Sequence, residues 1–249
     1  ERLNNKVALI TGAAQGLGKE MAKTMISHGA TVIVTDINES NLDKTAKELS
    51  CKSMVLDVTK EDAWIKIISD IEKEIGSLNI LVNNAGIGNG GDIESTNLEL
   101  WHQVHSINLD SVFLGCKYSL PLMRKSGNGS IINISSVSGI VASHNLSAYN
   151  SSKAAVRHLS KSVALHCAKS TNLVRCNSIH PVFTRTAMVQ SMIDAAPERN
   201  IEEKLVQQIP IRKLAEPQDI ANAALFLASD ESSFITCLLY TSPSPRDDR

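Results

Sequence analysis

A tyrosine and a lysine four positions apart, Tyr149 and Lys153 in Tyr-Asn-Ser-Ser-Lys, are the first residues of this 249-residue chain whose pairing suggests chemistry. On a helix that spacing puts both side chains on one face, with Cβ atoms about 5–6 Å apart. A phenol with a pKa of about 10 is a poor base at neutral pH. A neighbouring ammonium favours phenolate and moves the tyrosine toward useful acid–base chemistry. Ser136 stands 13 residues earlier, just after the apolar run Ser-Ile-Ile-Asn-Ile, where a hydroxyl can hydrogen-bond a carbonyl or carbinol oxygen. Taken alone, a Tyr and a Lys at this spacing more commonly form a solvated helix face.

A second group of residues suits a nucleotide. Thr11-Gly12-Ala13-Ala14-Gln15-Gly16-Leu17-Gly18 lies between a β-branched run and an amphipathic one. Glycines at 12, 16 and 18 let the backbone turn and approach a diphosphate, whose charge suits the helix N-terminus that follows. The spacing G-x-x-x-G-x-G differs from the G-x-G-x-x-G fingerprint but has the same mechanics. A P-loop is absent, because Lys19 is followed by neither Ser nor Thr. Asp36 ends the next apolar run, 18 residues past Gly18. A carboxylate there accepts from both hydroxyls of an adenosine ribose and repels a 2′-phosphate. Ile37, Asn38 and Gln15 offer no cation to such a phosphate, so NAD is expected rather than NADP. Asp57 and Val58 end a third run, where they can hold the adenine amino group. Asn83-Asn84-Ala85-Gly86 ends a fourth, its small residues letting the chain pass beside the cofactor.

These residues need a scaffold, and the pattern supplies one. Strands are expected at 6–10, 31–35, 53–56, 79–82, 130–134 and 173–179. Helices are expected at 16–28, 42–49, 61–75, 98–125, 148–168, around 187–195, at 201–208 and at 217–228. The strands are apolar at both parities, as in a parallel sheet covered by helices on both faces. Alternating strands and helices imply right-handed βαβ units and an α/β, doubly wound parallel sheet in a single domain, residues 1–236. Residues 237–249 break the pattern with Ser-Pro-Ser-Pro and a charged end, and are expected to be a non-native or disordered tail.

Composition narrows the function classes. Twenty-five Lys and Arg balance 26 Asp and Glu for a net charge of −1, with no basic block, so no nucleic-acid or membrane partner is expected. Five scattered cysteines make neither a disulfide framework nor a metal knuckle. With no signal-peptide pattern at the start, the expected location is cytoplasmic. His102 with His105, and His158 with His166, lack the Cys or carboxylate that would complete a familiar metal set, so no metal is expected. Ser135 and Ser138 stand in no G-x-S-x-G elbow, which excludes that hydrolase pattern.

In combination the motifs resemble the short-chain dehydrogenase/reductase family. TGAAQGLG, NNAG, Asn108 within SINLDSVF, Ser136 within NISSVSG, and YNSSK occur in that family's order and spacing over residues 3 to about 236. The resemblance implies a Rossmann-type sheet, a nicotinamide dinucleotide and a Ser136–Tyr149–Lys153 site supported by Asn108. Tyr149 would be the general acid/base; Lys153 would lower its pKa and bind the nicotinamide ribose. Ser136 would orient the substrate oxygen, and Asn108 would support a water-mediated proton relay. Pro181, Thr184 and Thr186 fall in the segment that meets the nicotinamide amide. Two departures stand out: Val182 replaces a usual Gly, and the family's last, seventh strand is expected to be missing near residue 237, leaving a bare sheet edge. The implied activity is NAD-dependent interconversion of a secondary alcohol and a ketone, nearest the hydroxysteroid and cyclic-alcohol branch. Met188, Val189, Met192 and Ile193 suggest an apolar substrate, and a homodimer or homotetramer is implied for the intact protein. The competing readings are an NADPH-dependent 3-ketoacyl-type reductase, against which Asp36 speaks, and a non-catalytic dinucleotide-binding or truncated, inactive fragment.

Overall fold

Consecutive residues of the first strand, β1 (Val7–Thr11), enter two different cores, which is why the run is apolar at every position. Ala8 and Ile10 pack on one face of the sheet with Met21, Met25, Leu42 and Leu225. Val7 and Leu9 pack on the other with Trp64, Ile71, Val112 and Val156. The structure, a computed structural model, describes residues 1–169, 174–194 and 197–241. The expected strand start at Leu173, the helix end at Ala195 and the tail beyond Thr241 lie outside the described residues.

The chain alternates strand and helix: α1 (Gly16–Ser27), β2 (Thr31–Asp36), α2 (Glu39–Leu49), β3 (Lys52–Val55), α3 (Glu61–Glu74) and β4 (Ile80–Asn83). It continues with α4 (Leu98–His105), α5 (Ser111–Lys125), β5 (Gly129–Ile134), α6 (Ser147–Ala168) and β6 (Val174–His180). Last come α7 (Ala187–Asp194), α8 (Ile201–Gln207), α9 (Pro217–Ala228) and β7 (Leu239–Thr241). The strands pair in parallel in the order β3-β2-β1-β4-β5-β6-β7. The α/β class expected from the sequence is the class observed. Because the chain winds outward from β1 to β3 and then restarts at β4 beside β1, a crevice opens between β1 and β4 at the carboxyl ends. Such a switch point is where doubly wound sheets bind ligands.

Two expectations need correction. The run 98–125 is not one helix: a π-type turn, Ser106–Asp110, separates α4 from α5. The backbone stays in the right-handed helical region at both joins, His105 and Ser111, so residue types suited to a helix continue through it and do not mark the turn. The seventh strand is present, though only three residues long, with Ser178 opposite Leu239 and His180 opposite Thr241. The free edge of β6 offers unpaired backbone groups, and the apolar residues before the Ser-Pro-Ser-Pro run take them up. Asn177 Oδ1 secures this segment by accepting from the Leu238 amide at 2.9 Å.

The helix starts differ in a way that bears on the site. Asn38 and Asn97 cap α2 and α4 by accepting from Asn41 N (3.1 Å) and Leu100 N (2.8 Å). At α9, Pro217 occupies the first turn and Asp219 reaches back to the Glu216 amide at 2.9 Å. Helix α1 has no such device: Gln15 makes no side-chain cap and the first turn carries no acid. Its first amides therefore face the crevice without a side-chain partner from the cap.

Candidate active site

The crevice is a cleft of about 1030 Å³ running across the carboxyl ends of the strands. At one end the walls are mostly backbone. Gly12, Gln15, Gly16 and Leu17 form the turn between β1 and α1. Gly16 has φ +58 and nothing within 4 Å of where a Cβ would stand, so its backbone lies open to the cleft. Gly18 is absent from the lining because it sits beneath it; a Cβ there would lie 2.4 Å from the Gly12 carbonyl oxygen. This bare turn, with the uncapped α1 amides behind it, fits a diphosphate. Thr11, whose role the sequence does not announce, fastens the turn to the next strand. Its hydroxyl accepts from the amides of Asn84 and Ala85, each at 3.0 Å, while Asn84 Nδ2 donates to the Thr11 and Gly12 carbonyls at 2.9 and 3.0 Å.

Asp36 reaches the cleft from the end of β2, beside the exposed Ile37. Its carboxylate is held by two amides, Oδ2 accepting from Ala14 N at 3.2 Å and Oδ1 from Asn38 N at 3.0 Å. Each oxygen keeps a further lone pair for a ligand hydroxyl. Asp57 and Val58 line the cleft beyond β3, where Asp57 Oδ1 accepts from both the amide and the hydroxyl of Thr59. Asn84, Ala85 and Gly86 complete this wall.

Ser136, Tyr149 and Lys153 meet in the middle of the cleft. Ser136 leaves β5 in an extended conformation, and its Oγ accepts from Ser138 N at 3.1 Å. That occupies an acceptor position and leaves the hydroxyl proton available to donate. Tyr149 and Lys153 project from one face of α6, with Nζ 5.8 Å from the phenol ring centroid. Nζ donates to the Ile134 carbonyl at 3.0 Å, and burial pushes its pKa down to about 8. Burial raises the Tyr149 phenol above its ordinary range, and a hydrogen bond with Ser136 acts against that rise. The group that opposes burial at the phenol is thus the Ser136 hydroxyl, with the Lys153 ammonium standing 5.8 Å from the ring centroid on the same helix face.

Asn108 stands in the π-type turn, fully buried behind the cleft wall. Its Oδ1 accepts from Ile87 N at 2.8 Å, and its Nδ2 donates to Ile87 O at 3.0 Å and Ser152 Oγ at 3.2 Å. It thus ties the loop after β4 to the helix bearing Tyr149. A Cβ on Gly86 would sit 3.1 Å from Asn108 Oδ1 and 3.3 Å from Lys153 Nζ, so these three residues converge.

At the far end the cleft is walled by side chains from a lid, whose described residues are 182–194 and 197–215. The lid has its own small core, in which Val182 and Val189 pack with Leu205, Ile209 and Leu214. Paired backbone bonds clip its base, Ala215 N to Phe183 O at 3.1 Å and Arg185 N to Ala215 O at 2.8 Å. Val182 is not among the residues with positive φ, and its side chain is buried in the lid core. The valine is thus accommodated by packing, which the missing glycine would not supply. Pro181, Thr184 and Thr186 line the cleft; Thr184 Oγ1 donates to Val182 O at 2.9 Å. Val189 lines it too, whereas Ile193 packs against the lid core; the side chains of Met188 and Met192 lie outside the described residues. Phe183, Gln103 and Asn145 also face this end, and no motif flagged them.

A doubly wound sheet, a bare phosphate turn and a Ser–Tyr–Lys cluster at the switch point define a dinucleotide-binding oxidoreductase. Residues 12–239 match the adh_short_C2 family model, described as enoyl-(acyl carrier protein) reductase. The chain is 40% identical over 241 residues to the 3-beta-hydroxysteroid dehydrogenase of Comamonas testosteroni, covering 94% of this chain and 93% of that one. It is 38% identical to the NADP-dependent (R)-specific alcohol dehydrogenase of Lentilactobacillus kefiri, with 95% and 94% covered. The crystal structure of gox2181 superposes with a TM-score of 0.91 at 27% identity, covering 97% of this chain and 95% of that one. This chain belongs to the short-chain dehydrogenase/reductase family, whose members are oxidoreductases that use a nicotinamide dinucleotide.

Proposed function

We propose that this protein interconverts a secondary alcohol and a ketone with NAD, using Tyr149 to move the proton and Ser136 to hold the reacting oxygen. The observation that carries the reading is the meeting of Ser136, Tyr149 and Lys153 in one cleft with the bare turn of β1–α1. The nicotinamide ring, when bound, supplies the hydride acceptor or donor. The residues suited to hold the dinucleotide are Gly12, Gln15, Gly16, Leu17 and Gly18 at the diphosphate, and Asp36 and Ile37 at the ribose. Asp57 and Val58 suit the adenine, and Asn84, Ala85, Gly86, Pro181, Thr184 and Thr186 suit the nicotinamide half.

In the oxidation direction Ser136 donates its hydroxyl proton to the alcohol oxygen and orients it toward Tyr149. Tyr149, as phenolate, takes the alcohol proton and becomes phenol, and in reduction the phenol returns that proton to the carbonyl oxygen and becomes phenolate. Lys153 lies beneath the phenol and balances charge as the phenolate forms. Asn108 holds the Ile87 peptide and Ser152, which keeps α6 aligned with the loop beside it. Asp36 supports NAD over NADP, because a 2′-phosphate there would face a carboxylate with no neighbouring cation at residues 37 and 38. The apolar side chains Val137, Leu146, Phe183 and Val189 favour a substrate with an apolar body. That preference agrees with a relative that acts on a hydroxysteroid.

The test combines binding with turnover. NADH and NADPH are titrated separately by nicotinamide fluorescence, and cyclic and steroidal secondary alcohols are then screened. Tyr149→Phe should lower kcat by about 10²–10⁴-fold while NADH binding persists. Unchanged turnover in Tyr149→Phe would sink the assignment, and tighter NADPH than NADH binding would sink the cofactor choice.

A further inference from the structure

We propose that His180 is a positioning residue for the reaction, fixing Ser136 from behind the cleft; the inference rests on the role of Ser136 proposed above. The backbone around Ser136 is where β5 leaves the sheet, and its ladder to β6 is weakened there. Ser135 N donates to Ile179 O at 2.8 Å and Val137 N to Pro181 O at 3.0 Å, but Pro181 has no amide to donate in return. That leaves the Ser135 carbonyl without its ladder donor, and a side chain ties the strand at the next carbonyl instead. His180 is fully buried, and its Nδ1 lies 3.0 Å from the Ser136 carbonyl oxygen. A carbonyl only accepts, so Nδ1 carries the proton. In the neutral ring Nε2 then accepts, and Ser178 Oγ lies 2.9 Å from it, two residues back on the same strand. The ring is therefore oriented from both nitrogens.

The consequence falls on the Ser136 hydroxyl. Its own peptide oxygen accepts from His180 and from Gly139 N at 2.9 Å, and its Oγ accepts from Ser138 N at 3.1 Å. With the peptide held by donors on two sides, the Oγ proton points at the substrate oxygen and Tyr149 rather than turning with the chain. His180 does not line the cleft, so it touches no substrate; its hydrogen bond to Ser136 is what connects it to the reacting group, and an unchanged NADH Kd separates that route from one through its cleft-lining neighbour Pro181. Displacing a reacting group by about 1 Å is enough to cost a large rate factor.

The experiment compares His180→Asn with His180→Leu. An asparagine amide stands at the same remove from Cα as Nδ1 and keeps the donor; leucine fills much of the volume without one. His180→Leu should lose about ten- to a hundredfold in kcat with the NADH Kd unchanged, and His180→Asn should recover most of it. Equal losses in the two variants, or a kcat within about twofold of wild type in His180→Leu, would overturn the proposal. If His180→Leu does not fold, Ser178→Ala frees the Nε2 end while leaving the strand intact. A fall of a few-fold in its kcat at constant NADH affinity is expected, and no fall overturns the proposal. Tyr149→Phe is measured alongside: if it stays active the underlying assignment fails, and if it is inactive while His180→Leu is not, only the role of His180 fails.

Discussion

The two ends of the cleft are built on different principles. At the nucleotide end the surface is backbone: the β1–α1 turn, the Thr11 clamp and the small residues after β4. The requirements there are for what is absent, such as a Cβ or a capping side chain, and they fall on two short segments, the β1–α1 turn and the residues after β4. At the substrate end the surface is side chains from the lid, the loop after β4, α4 and the segment before α6. That end has a core separate from both faces of the sheet. One end is fastened directly to the strands of the sheet. The other is tied to the sheet chiefly at its base, and its shape depends on packing among residues far apart in the chain.

The contrast is broken most severely where a side chain intrudes on the backbone end. Gly18→Val would drive a Cβ into the Gly12 carbonyl, which lies 2.4 Å away, with Asn84 Nδ2 at 2.7 Å. The turn must shift, and the NADH Kd should rise by about a hundredfold or more, equivalent to about 2.7 kcal/mol. Fluorescence titration of a folded variant checks this; unaltered affinity would mean the turn does not carry the diphosphate.

Lys153→Met tests the junction of the two ends and separates stability from function. Burial lowers the lysine pKa from an ordinary 10.5 to about 8, so holding it charged costs the folded state stability. Below pH 8 that cost is fully present. Between pH 8 and 10.5 the unfolded chain binds the extra proton, so wild-type stability from this group rises with pH. Removing the lysine should raise stability at pH 7 by about 2–3 kcal/mol, after allowing for the lost bond to Ile134 O. The advantage should shrink as pH rises toward 10.5, while turnover is lost at every pH. Urea unfolding across that range measures it, and a variant less stable than wild type at pH 7 would refute it.

The same contrast explains what could be read from the chain alone. The strand–helix alternation, Asp36 and the glycine turn were legible because backbone constraints leave short, local signatures. Tyr149 and Lys153 were legible because a helix converts a spacing of four into a shared face. The break at Ser106–Asp110 was not, since one widened turn alters hydrogen bonding without altering composition. The pairing of residues 239–241 with β6 was missed because the following prolines dominate the local pattern, although pairing needs only the residues before them. His180 and the lid core were hidden for a common reason: their partners, Ser136 for one and Leu205 and Leu214 for the other, lie in distant segments.

Between these extremes stands cofactor choice, a side-chain decision made at the backbone end. Replacing Asp36 with Ser and Ile37 with Arg removes the carboxylate and adds a cation for a 2′-phosphate. The ratio of NADPH to NADH affinity should rise by about tenfold or more, at about 1.4 kcal/mol per decade. Asp36 also accepts from Ala14 N and Asn38 N, so a serine that keeps one of those bonds limits damage to the turn. A ratio unchanged in parallel NADH and NADPH titrations would place the ribose elsewhere.

The smallest effect is expected at the substrate end, and its smallness is the informative part. Val189 is 8% exposed, packs in the lid core and lines the cleft. Val189→Ala removes two methyl groups from a cluster with five buried members among the described residues. The global cost should be about 1 kcal/mol or less, because the lid can collapse around the gap and is not continuous with the sheet cores. KM for an apolar alcohol should rise a few-fold while the NADH Kd holds, since no nucleotide contact is disturbed. Amide exchange should speed up in residues 201–209 and not in β1 or β4. Equal acceleration in the strands would mean that lid and sheet open together, and the division between the two ends would then be one of composition without independent stability.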